Sequence, residues 1–143
     1  MSLFESTRKL LESEFNTGWL AGSFAAVPIR WDNTSRPESS NPVVFVRVLE
    51  GRVVPFALGD ITVDNYQGFF EAVIYVPKTE GMGIGKQYSD EAISVMGEKK
   101  LTTDEGLIVY VENPLVSRTP GERISEQGDF EVIKLEFPYT REQ

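Results

Sequence analysis

The residues with the strongest claim to chemistry run from Glu80 to Gln87, EGMGIGKQ. Gly81, Gly83 and Gly85 with Lys86 follow a strand candidate and open a helix candidate. Backbone amides at a helix N-terminus attract phosphate in that setting. The spacing fails in detail. A P-loop needs four residues between its first glycine and the Gly-Lys pair, then a hydroxyl for magnesium. Gly81 and Gly85 enclose three, and Gln87 stands in the hydroxyl position. A dinucleotide fingerprint would want its third glycine one place later. A turn that exploits glycine's backbone freedom before a helix accounts for the motif more simply.

Carboxylate pairs are the remaining route to catalysis: Asp60 with Asp64, Asp90 with Glu91, Asp104 with Glu105. None sits in a metal-ligand or glycosidase pattern, so solvated loop and helix positions explain them better. Trp31 followed by Asp32-Asn33 suggests a sugar platform, but a strand ending in Trp before an Asp-Asn turn is the simpler account. The chain has Cys 0 and His 0. That removes disulfides, thiolate zinc sites, imidazole ligands and every nucleophile–histidine pair. The expectation is no enzyme activity, no metal and no cofactor.

At 143 residues the chain suits one domain, large enough to bury roughly 68–70% of its unfolded surface without a covalent staple. The net charge of −8 argues against a module that grips phosphate backbones. No apolar run approaches the ~20 residues of a membrane span, and the charged start MSLFESTRKLLESEF lacks a signal-peptide core. A soluble intracellular protein with no membrane contact is expected.

The elements follow from periodicity. Residues 2–15 predict a helix with a Ser2–Glu5 capping box, a stripe of Leu3, Phe4, Leu10, Leu11 and Phe15, and a stop at Asn16-Thr17-Gly18. Five strand candidates come next: Val27–Trp31, Val43–Glu50, Tyr66–Val76, Gly106–Glu112 and Phe130–Tyr139. A second helix is expected from about Ile84 to Glu98, buried through Ile84, Tyr88, Ala92, Val95 and Met96. The order predicts an α+β fold: an antiparallel or mixed sheet of four to five strands with two helices packed on one face.

Alternation sorts most of these strands into a purely apolar face and a mixed one. Val44, Val46 and Val48 oppose Phe45, Arg47 and Leu49; Phe70, Ala72 and Ile74 oppose Phe69, Glu71, Val73 and Tyr75. The apolar face belongs under the helices. The mixed face is too greasy for full solvation, which makes Phe45, Arg47, Phe69, Tyr75 and Tyr110 candidate contacts with another subunit. A surface of ordinary apolar content is the competing account.

Two connections stand out. Gly51–Asn65 is apolar where connections are normally polar, and reads either as a hairpin arm docking on a neighbour or as a hairpin folded on its own sheet. Val53, Val54, Phe56, Leu58 and Ile61 are its candidate contact residues. Asn113–Gly128 reads as a long mobile loop that orders on a partner, through Arg118, Glu122, Arg123 and Glu126.

The N-terminal helix, then VPIRWDN, the polar loop TSRPESSN and PVVFVRV resemble the start of phage tail terminator-like proteins. YQGFFEAVIYVPKTEGMGIG resembles that family's apolar strand, Gly-rich turn and following helix. The similarity covers nearly the whole chain in element order, although the helix after GMGIG lacks a clear small-residue repeat and the Gly51–Asn65 connection is unusually long and apolar. The resemblance implies a ring, commonly a hexamer, on the end of a long tail tube. Such a ring stops tube polymerisation and offers a surface to the head-tail connector protein. Its partners would be itself, the tail tube protein and the connector, with DNA only passing through the lumen; its place would be the virion tail, assembled in the host cytoplasm. The alternatives are another small head-tail completion component, or a ligand-binding module using the mixed sheet face.

Overall fold

In the computed structural model the residues described are 3–31, 41–58, 61–77, 82–103, 105–123 and 129–142, with the backbone alone for 3, 52–58, 61–66, 82, 119–123 and 129. The chain runs α1 (Leu3–Ala21), β1 (Ile29–Trp31), β2 (Val43–Leu58), β3 (Ile61–Pro77), α2 (Met82–Met96), β4 (Lys99–Thr102), β5 (Ile108–Val111), β6 (Leu115–Arg123) and β7 (Asp129–Glu142). The described residues form an α+β fold with a curled mixed sheet of seven strands, in the order β1-β2-β3-β7-β5-β4, with β6 also on β7. The strand count exceeds the four to five expected. Among the described residues only the β1–β2 pair is parallel; the rest are antiparallel.

Helix α1 is longer than its sequence signals suggest. Thr7, Leu11, Phe15 and Trp19 repeat every four residues, and each is fully buried. Gly18 does not stop the helix, because it lies where α1 meets α2: a Cβ there would come within 2.5 Å of Val95 Cγ1. Tertiary packing overrides the local stop signal. The Trp19 indole donates to the Val27 carbonyl at 3.0 Å, closing the turn after the helix. On the exposed side Arg8 pairs with Glu5 and Glu12, one turn to either side, and holds the Glu5 carboxyl below its usual value.

Gly83 and Gly85 lie inside the first turns of α2, which replaces the expected glycine turn with helix. Gly85 is needed for close approach, since a Cβ would sit 2.8 Å from Ile133 Cδ1 of β7. Gly81, Asp60, Asp104 and the loop at 34–40 lie outside the described residues. The apolar faces of β2, β3, β5 and β7 lie under the two helices as alternation predicts, in one core with Leu11, Phe15, Trp19, Tyr88 and Met96. Trp31 packs against the same core.

The Asn113–Gly128 loop is a correction. Residues 115–123 form β6, paired to β7 from Leu115↔Glu136 to Arg123↔Asp129. With β5 it makes one long run along β7, interrupted at 112–114. Proline explains the break. Glu112 N–H donates to the Pro138 carbonyl at 2.9 Å; a residue's N and C=O face the same side of a strand, so Pro138's missing donor faces this gap. A second irregularity, between Thr119 and Glu122, holds Pro120 and Gly121.

Gly51–Asn65 is strand as well. β2 and β3 stay paired without interruption from Arg52↔Gln67 to Leu58↔Ile61. β7 accompanies β3 only as far as Tyr66↔Arg141. Beyond that row the hairpin continues as a ribbon of two strands, pairing with no other strand among the described residues. Five residues of each strand, 54–58 and 61–65, extend it by roughly 17 Å.

Candidate interaction face

The side of the sheet away from the helices carries the mixed residues, and register arranges them in rows. The first rows are mainly apolar: Phe45, Val43, Tyr75 and Phe130 form a buried cluster with Val73 and Val132 packed on it. Phe45 and Tyr75 meet edge to face at 5.4 Å between ring centroids, and Tyr75 meets Phe130 at 6.1 Å. These two candidate contact residues are therefore held in a buried cluster within the chain.

The next row is charged. Arg47, Glu71 and Glu136 are register partners across β2, β3 and β7. Arg47 Nη2 lies 3.0 Å from Glu71 Oε1, while Lys134 Nζ lies 3.5 Å from Glu71 Oε2 and 3.2 Å from Glu136 Oε1. Glu71 is buried; both cations are about half exposed. The Lys134 amine is held above its ordinary range, first by the bond to Glu136 and then by the Glu71 charge. Such a ladder satisfies a carboxylate that the flanking apolar residues remove from water.

The row after that is Leu49, Phe69 and Pro138, again register partners. Leu49 is 37% exposed and Phe69 36%, large apolar side chains left open to solvent. Next to them a groove of about 470 Å³ opens, lined by Gly51, Gln67, Phe69, Glu112, Pro138 and Thr140. Two glycines shape this end. Gly51 is the extra residue of a bulge between Glu50 and Arg52, where a Cβ would come within 2.7 Å of the Gln67 carbonyl. Gly68 has no room for a Cβ against the Leu49 carbonyl and the Tyr139 ring.

The bulge reverses the alternation along β2. By register, positions 54, 56 and 58, with 61 and 63 of β3, share the face of Leu49 and Phe69. Position 53 falls on the other face. Positions 54, 56, 58 and 61 thus extend the side of Leu49 and Phe69 along the ribbon, and position 53 does not. Tyr110 is the register partner of Thr140 at the groove and of Lys100, whose ammonium sits 5.8 Å from the ring centroid.

Of the second candidate group, Arg118 is in β6 and pairs with Glu131 at 2.6 Å. Glu122 and Arg123 are β6 backbone positions opposite Phe130 and Asp129, and Glu126 lies outside the described residues. Leu115 and Val116 of β6 are well exposed and were hidden by the loop reading. Leu49, Pro138, Lys134 and Glu136 belong to the face too, and it is the pairing register that aligns them in rows.

No group of acidic residues among the described positions is placed to hold a metal ion, and no described helix is long and apolar enough to cross a membrane. No family model matches the chain, and no curated protein matches it. One solved structure, whose name describes no activity, superposes over 100% of this chain and 97% of its own with a TM-score of 0.68. At 20% identity that likeness establishes a shared fold and nothing finer.

Proposed function

We propose that the chain is a structural assembly subunit of a tailed phage or prophage. It forms a ring on the end of the tail tube, stops tube polymerisation and offers the head connector a surface. The observation that carries this reading is the ribbon, two strands rich in Val, Phe, Leu and Ile that pair only with each other among the described residues. A two-stranded hairpin is marginal alone in water, so an apolar one requires a partner surface. The open row of Leu49 and Phe69 at its root supplies more of the same face. A ring needs two different complementary surfaces on each subunit, and an arm with an apolar face meets that need. No catalysis or cofactor enters this role, and an acidic chain suits a lumen through which DNA slides.

The experiment is a pair of substitutions, Phe56→Asp and Leu58→Asp, read by light scattering and by thermal unfolding. The expected result is loss of assembly with the unfolding temperature of the subunit nearly unchanged. If both variants unfold the subunit, the ribbon belongs to its own core and the reading fails. The groove beside Phe69 favours one other reading, a small-ligand module: about 470 Å³ with an aromatic wall and the polar groups of Gln67, Glu112 and Thr140 falls within the size of ligand pockets. Phe69→Ala would then abolish ligand binding and leave assembly intact. Another small head-tail completion protein is the nearest alternative role, distinguished by binding the connector and not the tube end.

A further inference from the structure

The root of the ribbon is built from residues that favour bending. Gly51 is the unpaired residue of the bulge, and Gly68 lies directly opposite Glu50. Two glycines and a register slip in adjacent rows make a natural hinge. Two rows beyond Gly68, at Tyr66, a buried arginine bridges three elements. Arg141 of β7 is 3% exposed; its Nη1 donates to Thr7 Oγ1 of α1 at 3.0 Å, and its Nη2 donates to Glu50 Oε1 of β2 at 3.2 Å. Arg141 is also the register partner of Tyr66, the last β3 position that β7 accompanies. The guanidinium thus sits where the three-stranded part of the sheet gives way to the ribbon.

We infer that Thr7, Arg141 and Glu50 form a brace that fixes the direction in which the ribbon projects. A guanidinium fork is planar and rigid, so binding acceptors on two elements sets the angle between them. Burial sharpens the effect, because a buried cation deprived of its carboxylate must move or draw in water. These three are positioning residues, and the inference holds whatever surface the ribbon docks on.

The chain has Cys 0, so spin labels can be placed at Ala57→Cys in the ribbon and Ser94→Cys on α2 without background thiols. Pulsed electron spin distance measurements would be made on dilute monomer carrying, in turn, Thr7→Val, Glu50→Gln or Arg141→Lys. Hydrogen exchange would be followed in parallel. The unsubstituted pair should give one narrow distance distribution. Each variant should broaden it, with amides at 52–66 exchanging about tenfold faster while those at 70–76 and 131–137 hold their rates. Unchanged widths in folded Glu50→Gln would overturn the inference. So would a rise in exchange at 70–76 equal to that in the ribbon, which would make the bridge a general stabiliser. Should Glu50→Gln or Arg141→Lys fail to fold, the milder Thr7→Val decides by the same two readings.

Discussion

Removing the Glu71 carboxylate should destabilise the subunit by far less than its burial suggests. The Glu71 side chain is 7% exposed, which places it among buried ion pairs, where loss of one partner typically costs 3–5 kcal/mol. That figure applies when the surviving charge is itself trapped out of water. Here the survivors are Arg47 and Lys134, 52% and 42% exposed, and water takes over their solvation. Lys134 also keeps Glu136 at 3.2 Å. Glu71→Ala then loses two charge-assisted contacts, regains the desolvation cost of one carboxylate, and should cost about 1–2 kcal/mol, or roughly 5 °C in melting temperature. Urea unfolding followed by Trp19 and Trp31 fluorescence measures it. A double-mutant cycle with Arg47→Ala should give a coupling of about 0.5–1 kcal/mol that shrinks in 1 M salt, as exposed partners are screened. A loss above about 4 kcal/mol, or a coupling insensitive to salt, would show that the cations are not solvated as their exposure implies.

Two further outcomes follow from the same geometry. Gly68→Ala puts a Cβ against the Leu49 carbonyl and 2.5 Å from Tyr139 Oη, so chemical denaturation should show a loss of about 1–3 kcal/mol. The Tyr139 phenol is pushed up to about 12 by burial first and the Glu50 charge second. Its neutral form is favoured in the folded state, so this contribution is complete below pH ~10, where the unfolded phenol begins to ionise, and is lost as pH rises through the folded value. Alkaline titration at 295 nm should show one tyrosine ionising late and stability falling over that interval; Tyr139→Phe should flatten the fall.

Much of the sheet was legible from alternation alone. Val44, Val46 and Val48 against Phe45 and Arg47 separate a helix-facing side from an open one, and the structure keeps that separation. The strands that escaped notice are those with little apolar content to alternate. Leu115–Arg123 carries Pro120 and Gly121, and as an edge strand it needs no apolar pattern, so its composition mimics a loop. In Lys99–Thr102 only Leu101 is buried. The extent of α1 depended on Val95 of a distant helix meeting Gly18, which no local signal encodes. At the interaction face the residue types were visible but their rows were not. Arg47, Glu71 and Glu136 become neighbours only through the β2–β3–β7 register, and Arg141 finds Thr7 across 134 positions of chain. Gly51 adds its own concealment: one extra residue flips the face of every ribbon position after it.

The glycine motif at Gly81–Lys86 was the most chemical-looking feature of the sequence, and its described part is helix packed on a strand. The most direct measurement is the absolute mass of the purified chain by light scattering across a concentration series, repeated with isolated tail tubes and imaged at the tube ends. The account predicts a closed ring of several subunits, at high concentration or on the tube end. A strict monomer at every concentration that never associates with tubes would contradict it.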